Sequence, residues 1–275
     1  HSSLLCPGEV EDEPADQRLL DSREETMSDE ILQEFGIPVW DEITIKKRGL
    51  RELHFKVRVA TSDQKSVESC FHEFQKPRKG FKILPDEEWV DFGASVGGFP
   101  CLVRALGGKL IYAVEPHAPA AALCRENLKR NGFDLDVPVV WEAAVVEDSY
   151  EGDTALLNVH PKPTQYWRNS LDLSWRGQTQ VEVPVARFSE LAQDRCVKMS
   201  VEGREIKIFQ ELTEPIPLKM AIEWHFDVNR EIRVTREILD KLRGWYDHVL
   251  PVKLPDKETW DWWPTSIIIF AGGRK

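Results

Sequence analysis

WVDFGASVGGFP (residues 89–100), followed by LIYAVEPHAP (110–119), is the stretch that decides the fold. An apolar run carries the acid Asp91 near its end, and glycines at 93, 97 and 98 then let the chain turn sharply. Beyond them Phe99, Leu102, Val103 and Leu106 recur at the i, i+3, i+4, i+7 spacing of a buried helix face. A second apolar run ends in Glu115. Strand, glycine turn, helix and acid-tipped strand is the opening of a doubly wound α/β domain. Such a domain holds ligands beyond the carboxyl ends of its strands.

Outward from this unit the alternation continues. Strands are expected at 88–92, 109–114, 137–142, 196–201 and 217–225, with helices near 97–106, 118–130, 203–211 and 230–243. Asn131-Gly132 and Gly244 read as helix stops. Two last strands, 245–252 and 266–271, have no helix between them, so they form a hairpin in which one runs antiparallel. Residues 147–187 read as an insertion with short strands at 154–160 and 179–185. Before the sheet, residues 31–84 form a lead-in unit. There Leu53–Val59 alternates as a half-buried strand, and Asp63–Phe74 is a helix with Asp63 as its expected cap. The expected organisation is an acidic, disordered tail at 1–30, the lead-in at 31–84 and the α/β domain at 85–275.

Charge is unevenly spread. The net value is −11, with ten acids in the first thirty residues, while 46–82 holds eleven Lys or Arg against four acids. That basic stretch reads as a solvated face or as a dock for RNA phosphates. No apolar run reaches the roughly 18 residues of a membrane helix. Five cysteines without a C-x-x-C pair fit free thiols in a reducing, intracellular compartment. The cytoplasm is the default, and an organelle matrix or stroma would follow removal of a targeting peptide ahead of His1. Neither a metal site nor a nucleotide-hydrolysis or metalloprotease motif is present in the pattern. Trp260, Trp262 and Trp263, with Tyr166, Trp167 and Trp175, read as rings over a planar acceptor or as a protein interface.

A dinucleotide fold would place a glycine where Ser95 stands, so an oxidoreductase is the weaker reading of the turn. The segments VDFGASVGGF, IYAVEPHAPAAALCRENLKRNGF, VVWEAAVVED, CVKMSVEGREIKIFQEL and LKMAIEWH resemble, in order and spacing, the FkbM-type family of class I S-adenosylmethionine-dependent methyltransferases. The resemblance implies a Rossmann-like α/β fold with a mostly parallel seven-stranded sheet and an antiparallel C-terminal hairpin strand. It implies S-adenosylmethionine as cofactor, with Asp91, Gly93, Ala94, Ser95 and Gly97 as the loop around its methionine part. Glu115 and Pro116 would clamp the ribose, His117 would lie beside the adenosine, and Glu142 and Ala143 along the adenine. Glu202, Glu223 and His225 are the candidate catalytic groups, Glu202 being equally suited to cap the next helix. The implied reaction is O-methylation of a small-molecule or sugar acceptor. Ser189 and Ser200 stand where the family carries acids. The competing expectation is therefore a catalytically impaired, scaffolding member of a larger assembly.

Overall fold

The structure is a computed structural model that describes residues 39–75, 78, 80–133, 140–173, 176–225, 232–253 and 266–275. The chain divides into two units, His1–Val39 and Trp40–Lys275. In the second, a seven-stranded sheet has the order β11(Tyr246–Lys253), β12(Ser266–Arg274), β10(Lys219–His225), β9(Cys196–Met199), β3(Glu88–Phe92), β4(Lys109–Val114), β5(Val140–Trp141). Neighbours from β10 to β5 run parallel, and β12 runs antiparallel to both β10 and β11. This is the expected doubly wound α/β fold with its antiparallel last strand.

Alternation sorts each central strand onto two cores. Trp89, Ala113, Cys196, Ala221, Ile268 and Phe270 face one cluster, under α1(Asp63–Phe74), α2(Gly98–Ala105) and α3(Ala118–Arg130). Val90, Phe92, Val114, Val197, Met199, Ile222 and Trp224 face the other. That second face lies under α4(Phe188–Ala192), α5(Glu205–Glu211) and α6(Ile232–Trp245). Because β4 lies on one side of β3 and β9 on the other, the crevice for a ligand falls at the carboxyl ends of β3 and β9.

The described lead-in residues, from Trp40 on, contribute to the first core. β1(Trp40–Ile45) and β2(Leu53–Arg58) form an antiparallel hairpin, with Leu53, Phe55 and Val57 buried. Phe55 meets Phe71 of α1 edge-on at 5.8 Å, and Phe74 meets Phe99 of α2 at 5.4 Å. β1 was not legible as a strand in the sequence; its pattern is largely exposed and its partner β2 makes it one. Asp63 is not a cap. It lies in the first turn of α1, is buried, and grips the Arg58 guanidinium with both oxygens at 2.7 Å. Nor does Gly244 stop α6, which runs on to Trp245 and passes straight into β11. Between β5 and β9 a smaller sheet of β6(Ala144–Val146), β8(Thr179–Arg187) and β7(Thr154–Val159) carries the insertion.

Since Phe55 shares a core with the sheet, Phe55→Ala is expected to cost about 3–5 kcal/mol. Urea denaturation followed by tryptophan fluorescence and by circular dichroism should show one coincident, lowered transition. Separate transitions would mean that the hairpin folds apart from the sheet.

Candidate active site

At the tip of β3, Asp91 is fully buried and sits in register with Lys198 of β9. The Lys198 ammonium lies 3.1 Å from Asp91 Oδ1 and donates to the Gly93 carbonyl at 2.9 Å. Burial pushes the Asp91 carboxyl up while Lys198 pulls it back. For Lys198 burial opposes the charge, but Asp91, with Cys70 and Glu223 adding to it, raises the pKa overall, so the ammonium keeps its proton. Lys198 went unnoticed in the sequence because a lysine in a strand normally reads as an exposed residue.

The loop that follows is fixed by close approach. Gly93 has φ 79°, and a Cβ there would lie 1.9 Å from the Ser200 carbonyl oxygen, so no other residue fits. Ser95 also takes a left-handed conformation, φ 49°. Its N–H donates to Glu115 Oε2 at 2.8 Å, and the His117 N–H donates to Glu115 Oε1 at 2.9 Å. Glu115 therefore closes the loop onto the end of β4 with one lone pair of each oxygen, leaving the others for hydroxyl donors. Burial raises the Glu115 pKa and the two N–H groups offset part of the rise. Burial, with Arg58 adding to it, lowers His117 to about 4, so its imidazole is neutral at physiological pH.

Ala94 and Ala143 are buried at this end of the sheet, and Pro116 is half-buried between Glu115 and His117. Glu142 is exposed, and its carboxylate is held by Arg125 of α3 at 2.6 Å.

The second half of the site is a carboxylate–imidazole cluster on β10, the turn after β9 and the first residue of α5. His225 lies between Glu205, 3.0 Å from Nδ1, and Glu202, 3.2 Å from Nε2. Glu223 Oε1 is 3.7 Å from Nε2. Two carboxylates facing the two ring nitrogens require two N–H donors, which only the imidazolium has. Burial disfavours that charge, but Glu202 and Glu205 outweigh it and hold His225 well above the ordinary imidazole range. Burial raises Glu202 against the pull of His225.

Glu205 emerges only from the structure. Its oxygens accept the Val201 N–H at 2.9 Å and the Gly203 N–H at 2.8 Å, bracing the turn before α5, whose first amides no side chain caps. Glu202 instead turns over at φ 52° and faces His225. Ser200 Oγ donates to Glu223 Oε2 at 3.0 Å, and the Glu223 side chain is 31% exposed, the most accessible of the three carboxylates.

The insertion is tied to this cluster. Ser170 Oγ donates to the Glu202 carbonyl at 2.6 Å, and Arg204 bridges Glu147 at 2.6 Å and Asp172 at 3.0 Å. Trp175, Trp260, Trp262 and Trp263, and the side chains of Tyr166 and Trp167, lie outside the described residues, as does the tail at 1–30.

In the basic stretch several cations are engaged within the chain. Lys46 pairs with Glu52, Lys56 pairs with Glu126 and lies over Trp40, and Arg58 pairs with Asp63. Cys70, Cys101, Cys124 and Cys196 are free and buried, and burial raises all four thiols. Among the described residues no helix is long and apolar enough to cross a membrane, and no group of three His, Cys, Asp or Glu could hold a metal ion.

No family model matches the chain, and no curated protein is similar to it in sequence. Solved structures that it resembles include M. jannaschii TYW2 in complex with AdoMet, at 14% identity over 84% of each chain, TM-score 0.41. P. horikoshii TYW2 in complex with MeSAdo is 12% identical over 93% of this chain and 84% of that one, TM-score 0.45. The fibrillarin/Nop5p complex gives 15% over 72% of this chain and 78% of that one, TM-score 0.39. At these values the likeness carries nothing about activity, and the fold rests on the strand order of this chain.

Because His225 binds its proton more tightly in the fold than a free imidazole (pKa about 6.5), its stabilisation is complete below that pH and is lost as pH rises toward the folded value. The stability difference between wild type and His225→Gln should be largest near pH 6. Above about pH 6.5 it should shrink by up to ~1.4 kcal/mol per pH unit, read from urea titrations. A difference that grows with pH would show that His225 is neutral.

Proposed function

We propose that this chain is an S-adenosylmethionine-dependent methyltransferase that methylates a hydroxyl acceptor. The observation that carries the reading is a juxtaposition at the carboxyl ends of adjacent strands. The Asp91–Gly97 loop closes on Glu115, and across the tip of β9 stand Ser200, Glu223, His225 and Glu202. The residues present fit the cofactor. Gly93 lets the loop backbone close onto the Ser200 carbonyl, and Glu115 keeps acceptor capacity where ribose hydroxyls would bind. When bound, S-adenosylmethionine supplies a methyl group on a good leaving group, so positioning accounts for much of the acceleration.

Within the chain, roles follow from protonation and access. His225 already holds its proton between two carboxylates, so it is a fixed charge and not a base. Glu202 is buried against it. Glu223, partly exposed and oriented by Ser200 Oγ, is the group that would take the acceptor hydroxyl's proton as its oxygen attacks. The Ser200 hydroxyl thus acts on the proposed base, although the family resemblance implies an acid at that position.

A non-catalytic, scaffolding role is the second reading. It is favoured by the way Asp91 is occupied by Lys198, while the Glu115 oxygens hold the loop's own amides.

Calorimetric titration decides between them. The wild type is expected to bind S-adenosylmethionine, and Glu115→Ala to lose about tenfold or more of that affinity. Glu223→Gln should keep it and lose about 10²–10⁴-fold in turnover on a hydroxyl acceptor. Absence of binding by the wild type would refute the methyltransferase reading and leave the scaffolding one.

A further inference from the structure

The lead-in hairpin is joined to the cofactor loop by one side chain that the chemistry above does not use. Asn127, on α3, is fully buried. Its Oδ1 accepts the Lys56 N–H at 2.7 Å, and its Nδ2 donates to the Lys56 carbonyl at 3.0 Å. The same Nδ2 donates to the Val96 carbonyl at 2.9 Å, inside the loop. One turn on, Asn131 treats His54 in the same way, accepting its N–H and donating to its carbonyl, each at 2.8 Å. Alternate residues of a strand lie about 6.8 Å apart and helix residues i and i+4 about 6 Å apart, so two asparagines on one helix face can stand in for a neighbouring strand. They satisfy the outer edge of β2, whose other edge is taken by β1.

Of the two, only Asn127 also bonds the loop. The remaining hydrogen bonds of the Asn131 side chain run to the Asn127 carbonyl and to Cys101 Sγ. The Val96 carbonyl needs the bond it receives. Val96 is buried, and the residue four positions on is Pro100, which has no N–H to offer it. The loop is also wedged between helices. A Cβ at Gly97 would lie 3.0 Å from Cys124 Sγ of α3, and one at Gly98 3.2 Å from the Val67 Cα of α1. Ser66 of α1 donates to Ser95 Oγ at 3.3 Å.

We propose that Asn127 is a positioning residue, transmitting the order of the β1–β2 hairpin to the Gly93–Gly97 loop, so that the hairpin is a working part of the cofactor site. The proposal rests on reading that loop as the cofactor's cradle. Asn131 is its internal control, since it clamps the same strand without the bond to the loop.

The test compares Asn127→Ala and Asn131→Ala by amide hydrogen exchange of the cofactor-free protein and by calorimetry with S-adenosylmethionine. Asn127→Ala is expected to speed exchange of the Ser95 and Gly97 amides, and to weaken S-adenosylmethionine binding, each by about tenfold, the worth of one buried hydrogen bond. Asn131→Ala should leave both within about twofold at a similar loss of stability. Equal effects of the two variants, or none from Asn127→Ala, would overturn the proposal. Should Asn127→Ala not fold, Asn127→Ser takes its place. In the unmutated protein, adding S-adenosylmethionine should then slow exchange of the Lys56 amide together with those of the loop, and an unslowed Lys56 amide would count against the coupling. If the wild type binds no S-adenosylmethionine, the functional reading fails, and the cofactor-free exchange comparison still decides whether Asn127 couples hairpin to loop.

Discussion

The ion pair between Asp91 and Lys198 is the constraint on which the rest of the site hangs. Both side chains lie on the same face of adjacent parallel strands, out of water, where an isolated charge would be costly. The pair exists because β3 and β9 are neighbours, and its ammonium carries a further bond to the Gly93 carbonyl. That bond fixes the first residue of the loop, while Glu115 fixes the third through Ser95. A row of charges thus crosses the strand ends from Glu115 through Asp91 and Lys198 to Glu223. Each is held by a neighbour before any ligand arrives, which is the preorganisation a binding site needs.

The same logic separates the acids around His225. A buried imidazole with a carboxylate at each nitrogen is most stable charged, and once charged it accepts no further proton. Glu205 is spent on backbone amides and on the ring, and Glu202 on the ring alone. That leaves the carboxylate at the rim, Glu223, as the proposed base. The insertion reaches this cluster through Ser170 and through the Arg204 bridges to Glu147 and Asp172, so the segment between β6 and β9 is anchored to the proposed acceptor side.

Much of the fold was legible because central parallel strands advertise themselves. Glu88-Trp-Val-Asp-Phe92 is apolar on both faces, and helices at the proper spacing follow it. β1 was not legible. Its residues are mostly exposed, and only β2's edge makes them a strand. Gly244 misled because glycine permits a helix stop without requiring one. Here the Trp245 carbonyl accepts the Lys275 N–H from the end of the chain. Asp63 had the spacing of a cap, but Arg58 was near enough to claim its carboxylate.

By itself the sequence determined the doubly wound class, the order of its strands and helices, and the loop whose glycines demand close backbone approach. Those follow from periodicity and from local conformational freedom, which are written along the chain. The tertiary structure alone decided which carboxylate does what. It brought Lys198 to Asp91, gave the amides of the β9–α5 turn to Glu205, charged His225, and set Asn127 between hairpin and loop. Each of these depends on a partner distant in sequence. In a buried site it is the partner, through desolvation and hydrogen bonding, that sets a polar group's charge and role.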